Sequence, residues 1–172
     1  MTIEQTALKE KPAQAQPAQA QPSMKLAVTS AKTPEFVRGR RDFFKYRDLG
    51  VTKATDGWMR AQVTSAVTGM TQPTGWHYHV CEGQFVYTLK GWVELEFEDG
   101  TNCRLEAGDS VFIPGGMLHQ ENRTSDDLEI LEVSIPADMG TVPVDPPAKR
   151  RVTPANRLQE AADHLSSAAA RV

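Results

Sequence analysis

The feature that most constrains this chain is a rhythm of two. In WVELEFED, residues 92–99, Val93, Leu95 and Phe97 fall on one side and Glu94, Glu96 and Glu98 on the other. Side chains of an extended strand alternate between faces, so this segment reads as a strand with one face buried and one wet. Asp99-Gly100 supplies a tight hairpin turn, and NCRL can return as the partner strand. WMRAQVTSAV (residues 58–67), SVFI, FIPGGM and LEILEVSI keep the same beat, and EAGD (residues 106–109) is a further turn. Nothing between residues 55 and 135 reads as a long amphipathic helix. Short strands with regular turn signals predict an all-β chain, a sandwich or a barrel.

The flanks have a different texture. The chain has 172 residues, which suits one domain with tails, and its 40% hydrophobic content is enough for a core. Residues 1–24 contain a PAQAQ repeat interrupted by Pro12, Pro17 and Pro22. With nothing large to bury, this segment is expected to be a disordered arm. The aromatic and charged run RRDFFKYRDLGV is expected at the edge of a β-domain spanning residues 35–140. Residues 141–149 are proline-rich and read as a linker. Thr153 and Pro154 suit the N-cap and first position of a short C-terminal helix, with Leu158, Ala161, Ala162, Leu165 and Ala169 at helical spacing. Residues 141–172 are therefore expected to be linker and helix, docked on the barrel or on a second subunit or frayed as a tail. The Lys149–Arg151 cluster reads as solvated charge.

Composition narrows the partners. A net charge of −3 gives no reason to expect nucleic acid. Cys81 and Cys103 form no CxxC pair, so a cysteine-based structural zinc site is not expected, and two reduced thiols in a cytoplasmic protein is the plain reading. No apolar run approaches the roughly 20 residues of a membrane helix, and the N-terminus lacks a signal-peptide core. The expected partner is a small-molecule substrate, with neither membrane nor nucleic acid.

Chemistry concentrates in two stretches. GWHYHVCEGQFVYTLKG, residues 75–91, carries His77 and His79, which a strand would project side by side, able to chelate one ion. GDSVFIPGGMLHQEN, residues 108–122, carries His119 after a Pro-Gly-Gly turn. The fourth histidine, His164, falls in the predicted C-terminal helix.

These two stretches resemble the paired motifs of the cupin superfamily. His77-x-His79 is followed by four residues, then Gln84, six residues and Gly91. Gly108 is followed by five residues, Pro114-x-Gly116, two residues and His119. Sixteen residues separate the motifs, a spacing like that of small bacterial single-domain cupins. There are departures: the first motif's leading glycine is out of place, Asn122 arrives one residue early, and Gln84 stands where the family has a glutamate.

The resemblance implies a cupin-type double-stranded β-helix, that is, a jelly-roll barrel. It also implies one divalent transition metal held by His77, His79 and His119. Gln84 is the expected fourth ligand, with Glu82 or a water as alternatives. An amide in place of a carboxylate leaves the centre one unit more positive, favours chelating anionic substrates, and removes a built-in general base. Fe(II) is favoured, with Cu, Ni, Zn or Mn also suited to imidazole. Glu121, two residues past His119, and Tyr87 are the candidates for acid–base work, with Glu82 a further one. The resemblance favours a dioxygenase-like enzyme acting on a diketone, catecholic or hydroxyacid substrate. A Lewis-acid isomerase or lyase on a small oxyacid, and a non-catalytic ligand-binding cupin, are the alternatives. It also implies a homodimer, with residues 35–50 as the crossing arm.

Overall fold

A computed structural model describes residues 23–39, 41–147 and 157–158. Eleven strands and one short helix follow in chain order: β1 Glu35–Val37, β2 Phe44–Asp48, α1 Val51–Ala54, β3 Arg60–Ala66, β4 His77–Val80, β5 Gly83–Lys90, β6 Trp92–Phe97, β7 Asn102–Glu106, β8 Ser110–Pro114, β9 His119–Thr124, β10 Glu129–Ile135 and β11 Gly140–Pro143. They form two antiparallel sheets, one ordered β1-β2-β3-β10-β5-β8 and the other β11-β4-β9-β6-β7. This is the all-β jelly roll that the alternation and the resemblance lead one to expect. Among the described residues no helix is long and apolar enough to cross a membrane.

The strand read most directly from sequence behaves as its pattern dictates. Val93, Leu95 and Phe97 of β6 join Leu105, Ile113 and Leu128 in the buried core, while Glu94 and Glu96 stay half-exposed. The hairpin to β7 turns at Gly100, whose φ of 91° lies in the left-handed region that favours glycine. Outside this hairpin, the Arg104 guanidinium stacks 3.8 Å above the Trp92 ring and pairs with Glu94 and Glu106. Cys103 is partly shielded in β7, and burial pushes its thiol pKa up.

The six-stranded sheet inverts the usual arrangement. On β5, the buried positions include Gln84, Val86 and Thr88, while Phe85, Tyr87 and Leu89 face outward beside Phe112 of β8. On β10, Glu132 and Ser134 are buried, and Leu131, Val133 and Ile135 are only half-buried. Across β5, β8 and β10 the interior of this sheet is therefore rich in polar groups, and the outer face is apolar.

One reading of the flanks changes. The segment taken as linker from residue 141 begins as a strand, because Gly140–Pro143 pair with β4. Pro143 misleads a sequence reading. β11 is an edge strand, where a residue without an N–H costs no ladder bond. Residues 1–22 of the expected arm and most of the expected C-terminal helix, including Thr153 and Pro154, lie outside the described residues.

Arg157 and Leu158 are helical and sit against the barrel. Arg157 pairs with both carboxylate oxygens of Glu98 and donates from Nη1 to the Gly116 carbonyl at 2.5 Å. Glu98 in turn accepts from the Leu118 backbone N–H at 3.0 Å. The two side chains are only 10% and 8% exposed, so Arg157→Ala leaves a buried carboxylate without its cation. Equilibrium unfolding of that variant is expected to show a loss of about 3–5 kcal/mol. A loss below about 1 kcal/mol, the range of solvent-exposed pairs, would contradict this burial.

Candidate metal centre

His77 and His119 lie directly opposite each other on paired strands β4 and β9, and His79 follows two residues along β4. The turn before His119 is strapped to the end of β4: the Gly116 N–H donates to the His79 carbonyl at 2.9 Å. Gly115 is pressed so close that an added Cβ would sit 1.6 Å from the Cys81 carbonyl oxygen. Gly116 has φ 77°, a second conformation suited to glycine. The Pro-Gly-Gly sequence is thus what allows the third imidazole to meet the other two.

The three rings converge. Their ligand atoms lie within 4.8 Å of one another, and the side chains are buried, His119 at 1% exposure. The Nδ1 atoms of His77 and His119 face the backbone carbonyls of Gly75 (2.8 Å) and Met117 (2.9 Å). A carbonyl can only accept, so Nδ1 carries a proton in both rings, which leaves Nε2 as the atom available to a metal. His79 Nδ1 lies 3.1 Å from the Thr141 hydroxyl on β11. Outward contacts of this kind fix the ring orientation of metal-ligating histidines. Three buried, pre-oriented imidazoles facing one another fit a single transition-metal ion.

Gln84 reaches the interior from the opposite sheet and is buried. Its Nε2 donates to Glu132 Oε1 at 2.8 Å. Glu132 was not singled out by the sequence, yet it is the central acid of the interior. Its Oε2 accepts from Gln62 Nε2 at 2.9 Å and from the Thr64 hydroxyl. Three donors suit an ionised carboxyl, which only accepts. They also give a physical reason for the amide at position 84. A glutamate there would set a second carboxylate against Glu132, whereas the amide donates to it.

The pairing can be tested without metal. Gln84→Glu is expected to destabilise the metal-free protein by about 1–3 kcal/mol. Adding Glu132→Gln restores an amide–carboxyl pair with reversed polarity and should recover much of the loss in denaturant unfolding. Strictly additive effects would mean that the two side chains do not meet.

Glu121 does share the face of the triad. Its Oε2 lies 3.9 Å from His77 Nε2 and accepts from the Thr74 hydroxyl at 2.6 Å. Tyr87 does not reach the site. It is three residues from Gln84 on the same strand, so it faces the other way, and it is 37% exposed. Glu82 lies in the tight connection between β4 and β5 and is exposed. A cavity of about 340 Å³ opens onto the centre, lined by His77, Glu121, Glu132, Thr64 and Arg41 among others.

Two sheets closed around three inward imidazoles define a jelly roll fitted to hold one metal ion. Residues 67–134 match the family model described as Cupin domain. Over that stretch the chain carries a cupin domain. No curated protein matches it closely enough to count as a relative.

Several solved structures share the fold. The polyketide cyclase RemF from Streptomyces resistomycificus superposes with a TM-score of 0.57 at 16% identity, covering 78% of this chain and 99% of that one. KdgF from Halomonas sp. gives 0.52 at 18%, covering 64% and 94%. An RmlC-like cupin from Shewanella frigidimarina NCIMB 400 gives 0.51 at 18%, covering 67% and 96%. At these identities the likeness is one of fold.

Proposed function

We propose that this cupin is a mononuclear-metal enzyme that moves a proton within a small chelating anion, as an isomerase or lyase. The observation that carries the reading is Glu132, a buried carboxyl on the wall of the same cavity as His77. An amide at position 84 removes the acid that the family motif supplies, and Glu132 restores one from the neighbouring strand β10. Oxygen activation has no need of a buried carboxyl held by two amides and a hydroxyl. Proton abstraction next to a carbonyl or carboxylate does.

His77, His79 and His119 would hold the ion, with Gln84 Oε1 as the proposed fourth donor. Fe(II), Zn(II), Ni(II), Cu(II) or Mn(II) all suit imidazole, and the bound ion would supply Lewis-acid polarisation of substrate oxygen. Glu132 takes the proton from carbon, and the hydrogen bonds from Gln62, Thr64 and Gln84 hold its oxygens in place. Return of that proton at another carbon gives an isomer; its return to a neighbouring hydroxyl, which then leaves as water, gives elimination. Glu121, fixed by Thr74, orients the substrate beside His77.

The test is anaerobic incubation of the metal-loaded protein with a panel of small hydroxy and keto acids in D2O. Deuterium entering substrate or product without oxygen supports the proposal. Turnover that appears only with dioxygen would replace it with the dioxygenase reading. A homodimer is part of the same proposal, supported by the outward-facing Phe85, Tyr87, Leu89 and Phe112. A one-chain mass in solution would remove it.

A further inference from the structure

The geometry points to Arg41 as the residue that anchors an oxyanion of the substrate at the mouth of the metal cavity. This rests on the proton-transfer reading above for the substrate's other end, and adds the group by which it is held.

Arg41 precedes β2 and lines the cavity together with His77, Glu121 and Glu132. Apart from His77, it contributes the cavity's one basic side chain among the described lining residues. Its position is fixed from two sides. The backbone N–H donates to the hydroxyl of Tyr46, itself only 3% exposed, at 3.2 Å. The guanidinium Nη2 donates to the Thr74 carbonyl at 3.3 Å. Thr74 is the residue whose hydroxyl holds Glu121 against His77. A short chain of contacts thus ties the guanidinium to the triad.

The remaining capacity of that guanidinium is what suggests a ligand. A guanidinium carries five N–H donors in a planar fork. One is used on a neutral carbonyl, and among the described residues Arg41 makes no ion pair. A planar fork of this kind matches the two oxygens of a carboxylate or phosphate.

Charge accounting agrees. Three neutral imidazoles and a neutral amide leave a divalent ion uncompensated, and the carboxylates of Glu121 and Glu132 offset it. Arg41 then leaves one positive charge over in the cavity for an anionic substrate. At about 340 Å³ the cavity lies at the small end of ligand sites, which run roughly 300–1,000 Å³. The substrate class is therefore a compact acid. One oxyanion sits on Arg41, and the reacting carbon lies between the imidazoles and Glu132.

The experiment uses the zinc-loaded full chain at pH 8, with malonate and inorganic phosphate as probes and neutral malonamide as control. Calorimetry is expected to show binding of at least one anion and none of malonamide. Arg41→Gln should weaken that binding by about tenfold or more. Arg41→Lys should recover part of the affinity, because it keeps the charge and loses the fork. Whichever anion depends on Arg41 names the oxyanion, carboxylate or phosphate. The unfolding midpoint without probe should stay at the wild-type value; a purely structural tie would lower it and leave anion affinity alone. Equal affinity in Arg41→Gln and wild type, or no anion binding to wild type, would overturn the assignment. Since no turnover is measured, such a failure would leave the proton-transfer reading standing on its own deuterium test.

Discussion

A His119→Ala chain is expected to purify with background levels of transition metal, and the wild-type protein with about one ion per chain. The reason is geometric. His119 is the imidazole contributed by the second motif, from a different strand than the other two, and it would close the ligand set. Without it, His77 and His79 remain as neighbours on one strand, a bidentate pair of the kind found on many strands without metal. The substitution also empties a 1%-exposed position stacked on Phe97 at a ring separation of 5.9 Å. Some stability is lost with it, about 2–3 kcal/mol by analogy with other buried truncations. Elemental analysis of the folded fraction separates the two effects. His119→Leu, which fills more of the space and has no donor atom, should bind metal as poorly while unfolding later. Wild-type metal content in both variants would show that His119 is a core residue rather than a ligand.

Glu132→Gln is expected to lower kcat by about 10²- to 10⁴-fold, the usual range for loss of a general base, with metal content unchanged. The side chain keeps its shape, so the change is close to removal of one charge. It does set amide against amide: Gln62 and Gln84 donate to different oxygens of Glu132, and the nitrogen of the substituted amide cannot accept from whichever of them it faces. A stability cost of about 1–3 kcal/mol is expected and should be measured beside the rate. Glu132→Asp retains the acid but withdraws it by one methylene, and should lie between the two in rate. Turnover of Glu132→Gln within about threefold of wild type would remove Glu132 from the chemistry, since loss of a general base costs far more than that.

Most of the fold was legible because alternation is a property of the strand itself. β6 and its turn at Gly100 could be drawn from nine letters. The triad was legible because two histidines at period two and a third after Pro-Gly-Gly are a local signature. What alternation does not reveal is which of its two faces points inward. In LEILEVSI the natural reading buries Leu131, Val133 and Ile135 and wets Glu132. On β10 the barrel does the opposite for these positions: Glu132 and Ser134 face the interior with Ile130, and Leu131, Val133 and Ile135 face the other way.

Glu132 was missed for that reason, and so were Gln62 and Thr64. A usable signal was present in Gln84. Once an amide stands in the acid's place, a carboxyl on another strand lining the same cavity is the thing to look for. Tyr87 was avoidable on parity alone, since residues 84 and 87 of one strand cannot share a face. Arg41 was hidden in a run of charge and aromatics whose placement depends on β2 pairing with β3, a contact that the sequence of the run does not encode.

The central claim is that three imidazoles from two strands share one cation, and a crystal of metal-loaded protein measured at the metal's absorption edge tests it most directly. The account requires one anomalous peak inside the barrel, about 2.0–2.2 Å from one nitrogen of each of His77, His79 and His119. A peak elsewhere on the molecule, or three rings with no peak between them in protein that elemental analysis shows to be loaded, would contradict it.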